Sequence, residues 1–191
     1  PEYKHFGTMN IVNSKRGTYY IADTLVNQHP DKETLKDIAR LTANTIRFFN
    51  EEPKIAGISF SSFGVDKTGS PRLMHDVVAE LQAEDPNLKI DGEMTVDLAL
   101  DHKRRDEKYP FLRLHGENVN SMIFTSLSAA NSAYRLIKQF SPETEVIGPI
   151  QMGLNKPIHF TDFDSSVRDI VNITAVAVID AYVNKIKNTR K

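Results

Sequence analysis

The chain has 191 residues, with 24 Lys and Arg against 25 Asp and Glu, no Cys and 40% hydrophobic residues. This composition is typical of a globular protein and excludes a disordered chain, a collagen and a disulfide scaffold. The net charge of -1 and the isoelectric point near 6.7 argue against nucleic acid as a partner, because no surplus positive charge attracts a polyphosphate backbone. Without cysteine, thiolate catalysis and cysteine-ligated metals are excluded as well.

The longest apolar stretch, residues 170–181, is too short and too polar to cross a bilayer, since it contains Asn172 and Asp180. The first ten residues lack the pattern of a signal peptide and begin with Pro1 rather than Met. The sequence therefore predicts no membrane segment and a cytoplasmic protein, and we expect the chain to be a piece of a longer one.

Short strand-like apolar runs alternate with longer helix-like runs, which predicts an α/β fold with a mainly parallel sheet and helices on both faces. Residues 18–23 predict a strand, and Asp31 is the expected cap of a helix that ends at Pro53. A buried strand over 55–60 leads into the loop 61–70. Its small polar residues suit an ordinary turn or a binding loop about equally, and its glycine spacing matches no nucleotide-binding motif.

The next helix is predicted to open at Pro71 and run through Glu84, followed by a short strand over 88–90. Asp91 and Glu93 then flank a glycine in an expected tight turn. Their carboxylates either orient a donor group or cap the helix that follows, and capping is slightly favoured.

The charge run 102–108 is interpreted as a solvated surface because its charges are mixed in sign. A strand over 121–124, a helix over 128–140 and a strand at 146–147 follow. The last predicted helix covers 167–186, with Lys residues at its favourable end. Its expected core face consists of Val167, Ile170, Val171, Thr174, Ala177, Val178 and Ala181.

Two clusters before and within that helix suit binding chemistry. Ser166 and Asp169 have the S-x-x-D spacing of a capping box. The alternative is an anion site at the helix start, to which Ser165, Ser166 and Lys156 would contribute. Capping is favoured. His159, Asp162 and nearby Asp164 raise the question of a metal site, but no second cluster accompanies them, and solvated loop residues are favoured.

Four segments, taken in order, resemble the phosphate acetyl/butyryl transferase family. They are residues 20–27 (YIADTLVN), 91–94 (DGEM), 130–134 (ANSAY) and 147–157 (IGPIQMGLNKP) leading into 166–172 (SVRDIVN). The resemblance spans nearly the whole chain. The stretches after DGEM and after SVRDIVN are most similar to the C-terminal domain of multidomain NADP-dependent malic enzymes. That domain is generally regarded as regulatory and responsive to acetyl-CoA.

The resemblance implies a three-layer α/β/α architecture of the isocitrate/isopropylmalate dehydrogenase-like kind, in two lobes with the ligand cleft between them. Residues 1–150 would form the second lobe, and 151–191 would belong to the first lobe, whose other part lies upstream of Pro1. The first lobe is therefore expected to be incomplete in this chain. Apolar surface that it normally covers would favour a dimer or higher homo-oligomer.

In the transferases that the chain resembles, a catalytic Asp is proposed to take the thiol proton of CoA, and Asp169 matches it. A Ser-Arg pair that helps to hold the phosphate is replaced here by Asp162 and Phe163. This exchange removes a bidentate phosphate donor and adds negative charge, so the resemblance implies weak or absent phosphate acyl transfer.

We therefore expect an acetyl-CoA-sensing regulatory and oligomerisation module of an NADP-dependent malic enzyme, with another acyl-CoA as a possible ligand. An active phosphate acetyl/butyryl transferase and a purely structural dimerisation domain are the alternatives. NADP and a divalent metal are expected only in upstream malic-enzyme domains, with no cofactor or metal in these 191 residues. Besides Asp169, the expected ligand-binding residues are Asp23, Thr24, Ser61, Ser62, Asn131, Asn155, Lys156 and Ser166.

Overall fold

A computed structural model describes residues 3–141 and 143–189 of the chain. The strands are β1 (Gly7–Ser14), β2 (Gly17–Ala22), β3 (Lys54–Ile58), β4 (Lys89–Met94), β5 (Ser121–Phe124) and β6 (Glu145–Met152). The helices are α1 (Lys32–Phe48), α2 (Gly69–Glu84), α3 (Val96–Leu100), α4 (His102–Lys108), α5 (Leu127–Phe140) and α6 (Val167–Thr189). In this part of the chain, no helix has both the length and the apolar character that a bilayer crossing requires.

The strands of the described residues form one six-stranded sheet in the order β4-β3-β5-β2-β1-β6. The first four of these strands are parallel neighbours, whereas β1 runs antiparallel to both β2 and β6. The sheet is therefore mixed, with a parallel part formed by β4, β3, β5 and β2 and an antiparallel strand β1 between β2 and β6. The prediction missed β1 because Thr8 and Asn10 interrupt its apolar run, although both side chains are buried.

Helices cover both faces of the sheet and create two cores. On one face, Ile38 of α1 and Leu81 of α2 pack in a cluster that also contains Ile173 of α6. On the other face, Leu98 of α3 and Ala130 of α5 belong to a second cluster. The predicted α/β class is thus confirmed at the level of a mixed sheet with helices on either side.

The start of α1 follows the predicted capping chemistry. Asp31 is the N-cap, and its carboxylate accepts a hydrogen bond from the Thr34 N–H at 2.8 Å. The helix ends at Phe48. Two residues later, Asn50 turns the chain in a left-handed conformation (φ 62°), before the chain reaches Pro53. Capping is therefore confirmed, while Pro53 follows the end of the helix rather than causing it.

The charge run 102–108 forms the short helix α4, and its interpretation as a solvated surface is wrong at one position. The Arg105 side chain is completely buried. Its guanidinium donates to the carbonyls of Leu114 at 2.6 Å and Glu117 at 2.7 Å and pairs with Asp106. A buried guanidinium needs acceptors in fixed places, and these carbonyls hold the loop before β5 against α4.

Helix α6 packs on the protein through a different face from the one predicted. Ile173 is buried and Val176 packs against the first core, whereas Val171 and Val178 of the predicted stripe are more than half exposed. The prediction of that face was wrong because apolar residues occur on several sides of this helix, so periodicity does not select one of them. The exposed stripe leaves a large apolar surface on the described part of the chain.

Candidate functional site

The carboxyl end of β2 carries a buried polar cluster around Asp23. The Asp23 carboxylate accepts from the backbone N–H groups of Thr8 (3.0 Å), Leu25 (3.1 Å) and Asn27 (2.8 Å), and also from the Thr8 hydroxyl (2.6 Å) and the Val26 N–H (3.3 Å). Because parallel sheets bind ligands at this edge, the rigid loop that follows Asp23 lies where a site is expected.

Two more predicted residues join this cluster. The Thr24 hydroxyl donates to the Asn10 side-chain oxygen at 2.6 Å, and the Asn131 amide of α5 donates to the Thr24 carbonyl at 3.0 Å. Asn131 thereby ties the first turns of α5 to the loop after β2. The structure thus brings Asp23, Thr24 and Asn131 together, and their role in binding a ligand stays a prediction.

Ser61 and Ser62 lie in the loop that leaves β3 at the same edge. The Ser61 hydroxyl oxygen accepts from the Asp66 N–H at 3.0 Å, and the Ser62 oxygen accepts from the Thr95 N–H at 3.2 Å. Both hydroxyls therefore fix the loop, and the Ser62 bond ties it to the chain segment after β4. Each retains a proton to donate, so a binding role is compatible with these contacts.

Asp91 and Glu93 correct the predicted turn, since both lie inside β4. The Asp91 carboxylate accepts from the Leu114 N–H at 2.7 Å and the Gln82 amide at 2.9 Å. Burial raises the pKa of Asp91, and these hydrogen bonds oppose the rise. Neither carboxylate caps the helix that follows Thr95. The prediction failed because Gly92, which suggested a turn, instead allows close contact between two strands.

Glu93 is completely buried and supports the loop after β3. Its carboxylate accepts from the Gly64 N–H at 2.6 Å and lies 3.2 Å from the His75 ring nitrogen Nδ1. Its backbone carbonyl accepts from the Phe63 N–H at 2.9 Å. The His75 side chain is half exposed, so Glu93 orients an accessible imidazole at the carboxyl edge.

Asn155 and Lys156 line a groove of about 280 Å³ between α1, the end of β6 and α6. His159 forms part of its wall, and the His159 Nδ1 accepts from the Gln151 N–H at 3.2 Å. The opposite nitrogen, Nε2, lies 3.8 Å from the Asp180 carboxylate. Burial lowers the pKa of His159, while the nearby Asp180 opposes this effect. The imidazole is therefore held neutral with Nδ1 as acceptor.

His159 makes the stability depend on pH in a defined direction. Since its folded pKa lies below its usual value of 6.5, the unfolded chain binds more protons below that pH and the free energy of unfolding falls. His159→Asn keeps an acceptor for the Gln151 N–H and removes the imidazole, while the other charged residues of the groove, Asp180 and Lys156, stay unchanged. We expect the substitution to flatten the pH dependence of the free energy of unfolding between pH 6.5 and 5, measured by urea denaturation. The exposed His115→Asn is the control, and an unchanged slope in His159→Asn contradicts the prediction.

Ser166 and Asp169 form the capping box at the start of α6. The Asp169 N–H donates to the Ser166 hydroxyl oxygen at 3.1 Å, and the Ser166 N–H donates to the Asp169 carboxylate at 3.0 Å. The Ser166 hydroxyl also donates to that carboxylate at 2.9 Å. The favoured interpretation as a cap is confirmed. The Ser166 hydroxyl and the Asp169 carboxylate are thus hydrogen-bonded to each other.

Removing the cap hydroxyl gives a second measurable effect. Ser166→Ala leaves the Asp169 N–H without its acceptor and is expected to lower the free energy of unfolding by about 1 kcal/mol. Chemical denaturation followed by circular dichroism measures this loss. Ser132→Ala, at an exposed position within α5, removes a hydroxyl without removing a cap and should be neutral or slightly stabilising. Equal effects of the two variants would rule out the cap as the cause.

The predicted site residues do not meet in one cluster. Asp23, Thr24, Asn131, Ser61 and Ser62 lie at the carboxyl edge of the parallel strands, as do Asn155 and Lys156 beyond the end of β6. Ser166 and Asp169 lie at the opposite edge. There Arg168 and Asn172 contact Glu145, which pairs with Asn13 at the start of β6. The segment between Met152 and Val167 therefore carries the chain from the carboxyl edge, where β6 ends, back to the edge where β6 begins.

The acidic segment before α6 is solvent-exposed. The Asp162 N–H donates to the Ser165 hydroxyl oxygen at 2.9 Å, and the Asp162 carboxylate accepts from the Phe163 N–H at 2.8 Å. The Phe163 ring is fully exposed. Within residues 3–141 and 143–189, no group of three or more His, Asp or Glu side chains is placed to hold a metal ion.

Sequence reasoning missed the partners that organise the carboxyl edge. Thr8 and Asn10 contact Asp23 and Thr24, and His75 contacts Glu93. The available signal was the alternation in β1, where Thr8 and Asn10 stand between apolar residues. Polar residues that alternate with apolar ones in a buried strand need partners, and a neighbouring Asp-Thr pair offers them.

Comparison with known proteins places these observations among relatives. The family model described as phosphate acetyl/butaryl transferase matches residues 1–178. The NADP-dependent malic enzyme of Salmonella typhimurium is 38% identical over 175 residues, which cover 92% of this chain and 23% of that protein. The phosphate acetyltransferase of Clostridium acetobutylicum is 36% identical over 168 residues, which cover 87% and 50% of the two.

Solved structures show the same fold. The EutD phosphotransacetylase from Staphylococcus aureus superposes with a TM-score of 0.85 at 27% identity, covering 95% of this chain and 56% of that one. A phosphotransacetylase from Streptococcus pyogenes gives 0.85 at 28% identity, covering 96% and 55%. The chain thus spans about half the length of the transferases and about a quarter of the malic enzyme that it matches.

Proposed function

Because this chain belongs to the phosphate acetyl/butaryl transferase family, we propose that it is the transferase-like domain of an NADP-dependent malic enzyme. In this proposal it senses acetyl-CoA, or a related acyl-CoA, and contributes to oligomerisation in the cytoplasm. The malate chemistry, with its NADP and divalent metal, lies in upstream domains outside these 191 residues.

The observation that carries this proposal is the exchange at Asp162 and Phe163. The family resemblance assigns these positions to a Ser-Arg pair that holds the phosphate, whereas here they present a carboxylate and an apolar ring to solvent. The arginine nearest in sequence, Arg168, is engaged with Glu145 at 2.8 Å. Loss of a preorganised donor of this kind costs about 10²–10³ in rate. In this proposal the site still binds an acyl-CoA but does not transfer an acyl group between phosphate and CoA at an ordinary enzyme rate.

The state of Asp169 supports the same view. Its carboxylate accepts two hydrogen bonds from Ser166, so a general base would have to leave the cap before it could take a thiol proton. A base must lie within hydrogen-bond reach of the proton that it removes. As a cap, Asp169 stabilises α6 instead.

The exposed apolar face of α6 supports the oligomerisation part of the proposal. We infer a two-lobed, isocitrate/isopropylmalate dehydrogenase-like arrangement in which residues 1–150 form the second lobe and 151–191 belong to the first. Val171, Val178 and Tyr182 are more than half exposed, and contact with the other part of the first lobe or with a second copy would bury them.

The test measures thioester formation from acetyl phosphate and CoA by the protein that contains this chain, together with calorimetric titration of acetyl-CoA. We expect binding without turnover at ordinary enzyme rates of about 1–10³ s⁻¹. The double variant Asp162→Ser, Phe163→Arg should raise turnover if the missing clamp is the cause. The matched control is Asp164→Ser, Phe160→Arg, which makes the same charge change within the same segment.

The alternative function is an active phosphate acetyl/butyryl transferase, favoured by the match to the Clostridium acetobutylicum enzyme. Turnover at ordinary rates in the unmodified protein, abolished by Asp169→Asn, would establish it and overturn the regulatory proposal. Absence of acetyl-CoA binding at millimolar concentration would overturn both and leave a structural dimerisation domain.

A further inference from the structure

A cavity of about 580 Å³ opens at the amino ends of β2 and β3, on the edge opposite the polar cluster around Asp23. Its walls come from the hairpin turn between β1 and β2, the chain segment before β5, and the junction of α3 and α4. Arg16, Tyr19, Lys54, His102, Lys103 and Asn118 are among the residues that line it. Its volume is within the range of small-molecule sites.

Two cations in this cavity have no acidic partner. Among the residues that the structure describes, Arg16 and Lys103 form no ion pair within 4.0 Å, while their sequence neighbours do. Lys15 pairs with Glu143, and Arg104 pairs with Asp97 at 3.1 Å. The chain therefore neutralises the cations beside the cavity and leaves Arg16 and Lys103, which line it, without an acidic partner.

The other charged groups of the cavity do not cancel this surplus. Lys54 is already paired with Glu117 at 2.7 Å. The Asp101 carboxylate also borders the cavity and accepts from the Arg104 N–H at 3.1 Å, so one negative charge stands against the two unpaired cations. His102 lines the cavity as well. The local field favours an anion, although the net charge of the whole chain is -1.

The cavity also has an apolar wall. Tyr19 and Leu100 are half-buried and pack against the second core, and both border the cavity. The exposed Asn118 adds an amide that can donate or accept. A ligand that fills such a space carries an organic group along Tyr19 and Leu100 and an anionic group at the cations.

We propose that this cavity binds a small organic phosphate. Arg16 supplies the planar fork of donors that suits phosphoryl oxygens, and Lys103 supplies a second positive charge. The organic group of the ligand lies along the Tyr19 ring. This site is separate from the acyl-CoA site proposed above, so it does not depend on whether that proposal is correct.

The test uses phenyl phosphate as the probe, titrated by calorimetry at low ionic strength, with inorganic phosphate and benzyl alcohol as comparisons. We expect saturable binding of phenyl phosphate that is tighter than that of inorganic phosphate, and no saturable binding of benzyl alcohol. Arg16→Ala and Lys103→Ala should each weaken binding about tenfold, the size expected for a charge-assisted hydrogen bond. Raised salt should weaken it further because both side chains are exposed.

Lys15→Ala and Arg104→Ala are the matched controls. Each removes one positive charge next to a proposed contact, so each changes the net charge of the protein by the same amount. We expect less than twofold change in phenyl phosphate affinity for both. Equal weakening in all four variants would reduce the effect to overall charge and overturn the proposal. So would saturable binding that survives Arg16→Ala with Lys103→Ala, or no binding of phenyl phosphate at 10 mM (about the weakest affinity of interest).

Discussion

Replacing Gly92 by alanine is expected to lower the free energy of unfolding by more than about 3 kcal/mol. Gly92 has φ +147°, a conformation that residues with a side chain rarely adopt. A Cβ atom there would lie 2.6 Å from the Gly57 carbonyl oxygen and 3.0 Å from the Gly57 Cα. Both neighbours are backbone atoms of the paired strand, so relief requires β3 and β4 to separate.

The control for Gly92→Ala is Gly17→Ala. Gly17 has φ +129°, close to that of Gly92, but a Cβ there would meet nothing within 4 Å. Its cost should be the backbone strain alone, about 1–2 kcal/mol. Urea denaturation of both variants separates strain from collision. Equal losses would show that β3 and β4 tolerate the added methyl group.

Asp23→Ala is expected to have the second largest effect, a loss of about 3 kcal/mol or more. The substitution leaves the Thr8, Leu25, Val26 and Asn27 N–H groups without their acceptor, of which the Thr8 group is buried and the other three are partly buried. An unsatisfied buried donor costs about 1–3 kcal/mol, and the three partly buried donors that lose the same acceptor add to this loss. Thermal and urea denaturation measure the loss.

Two comparisons isolate the role of the Asp23 carboxylate. Asp23→Asn keeps one oxygen but turns an amide toward Asn27, so it should destabilise as well, by less than alanine. Asp66→Ala removes a carboxylate that accepts from the Thr68 N–H at 2.8 Å in an exposed turn. Its effect should be a small fraction of that of Asp23→Ala. Comparable losses at both positions would contradict the importance assigned to burial.

The sequence predicted those elements whose local chemistry agrees with their packing. The strand over 121–124 has the bounds of β5, and Asp31 caps α1 as expected. The predicted strand stops before the end of β4. The end of β4 carries buried carboxylates, and a carboxylate in a strand interior contradicts local preference. Hydrogen bonds from Leu114 and Gln82 make the burial of Asp91 tolerable, and both residues lie outside β4.

The candidate site was predictable in its parts but not in its assembly. The turn after β2 and the loop after β3 follow parallel strands, so their shared edge follows from general topology. The position of Ser166 and Asp169 depends on the loop after β6, which returns the chain to the edge where Glu145 contacts Arg168 and Asn172. Since that loop has no periodic pattern, the local sequence does not show which edge of the sheet it reaches, and the start of α6 could not be placed from it.

The pairing of β1 with β6 also determines when the fold can be completed. Residues 7–14 must wait for residues 145–152, so during synthesis β1 is the outermost strand of an unfinished sheet until most of the chain has left the ribosome. Its backbone groups are then open to pairing with another nascent copy. Translation rate and chaperone capture are therefore expected to affect how much of this sheet folds correctly, because β1 is covered only after β6 has been made.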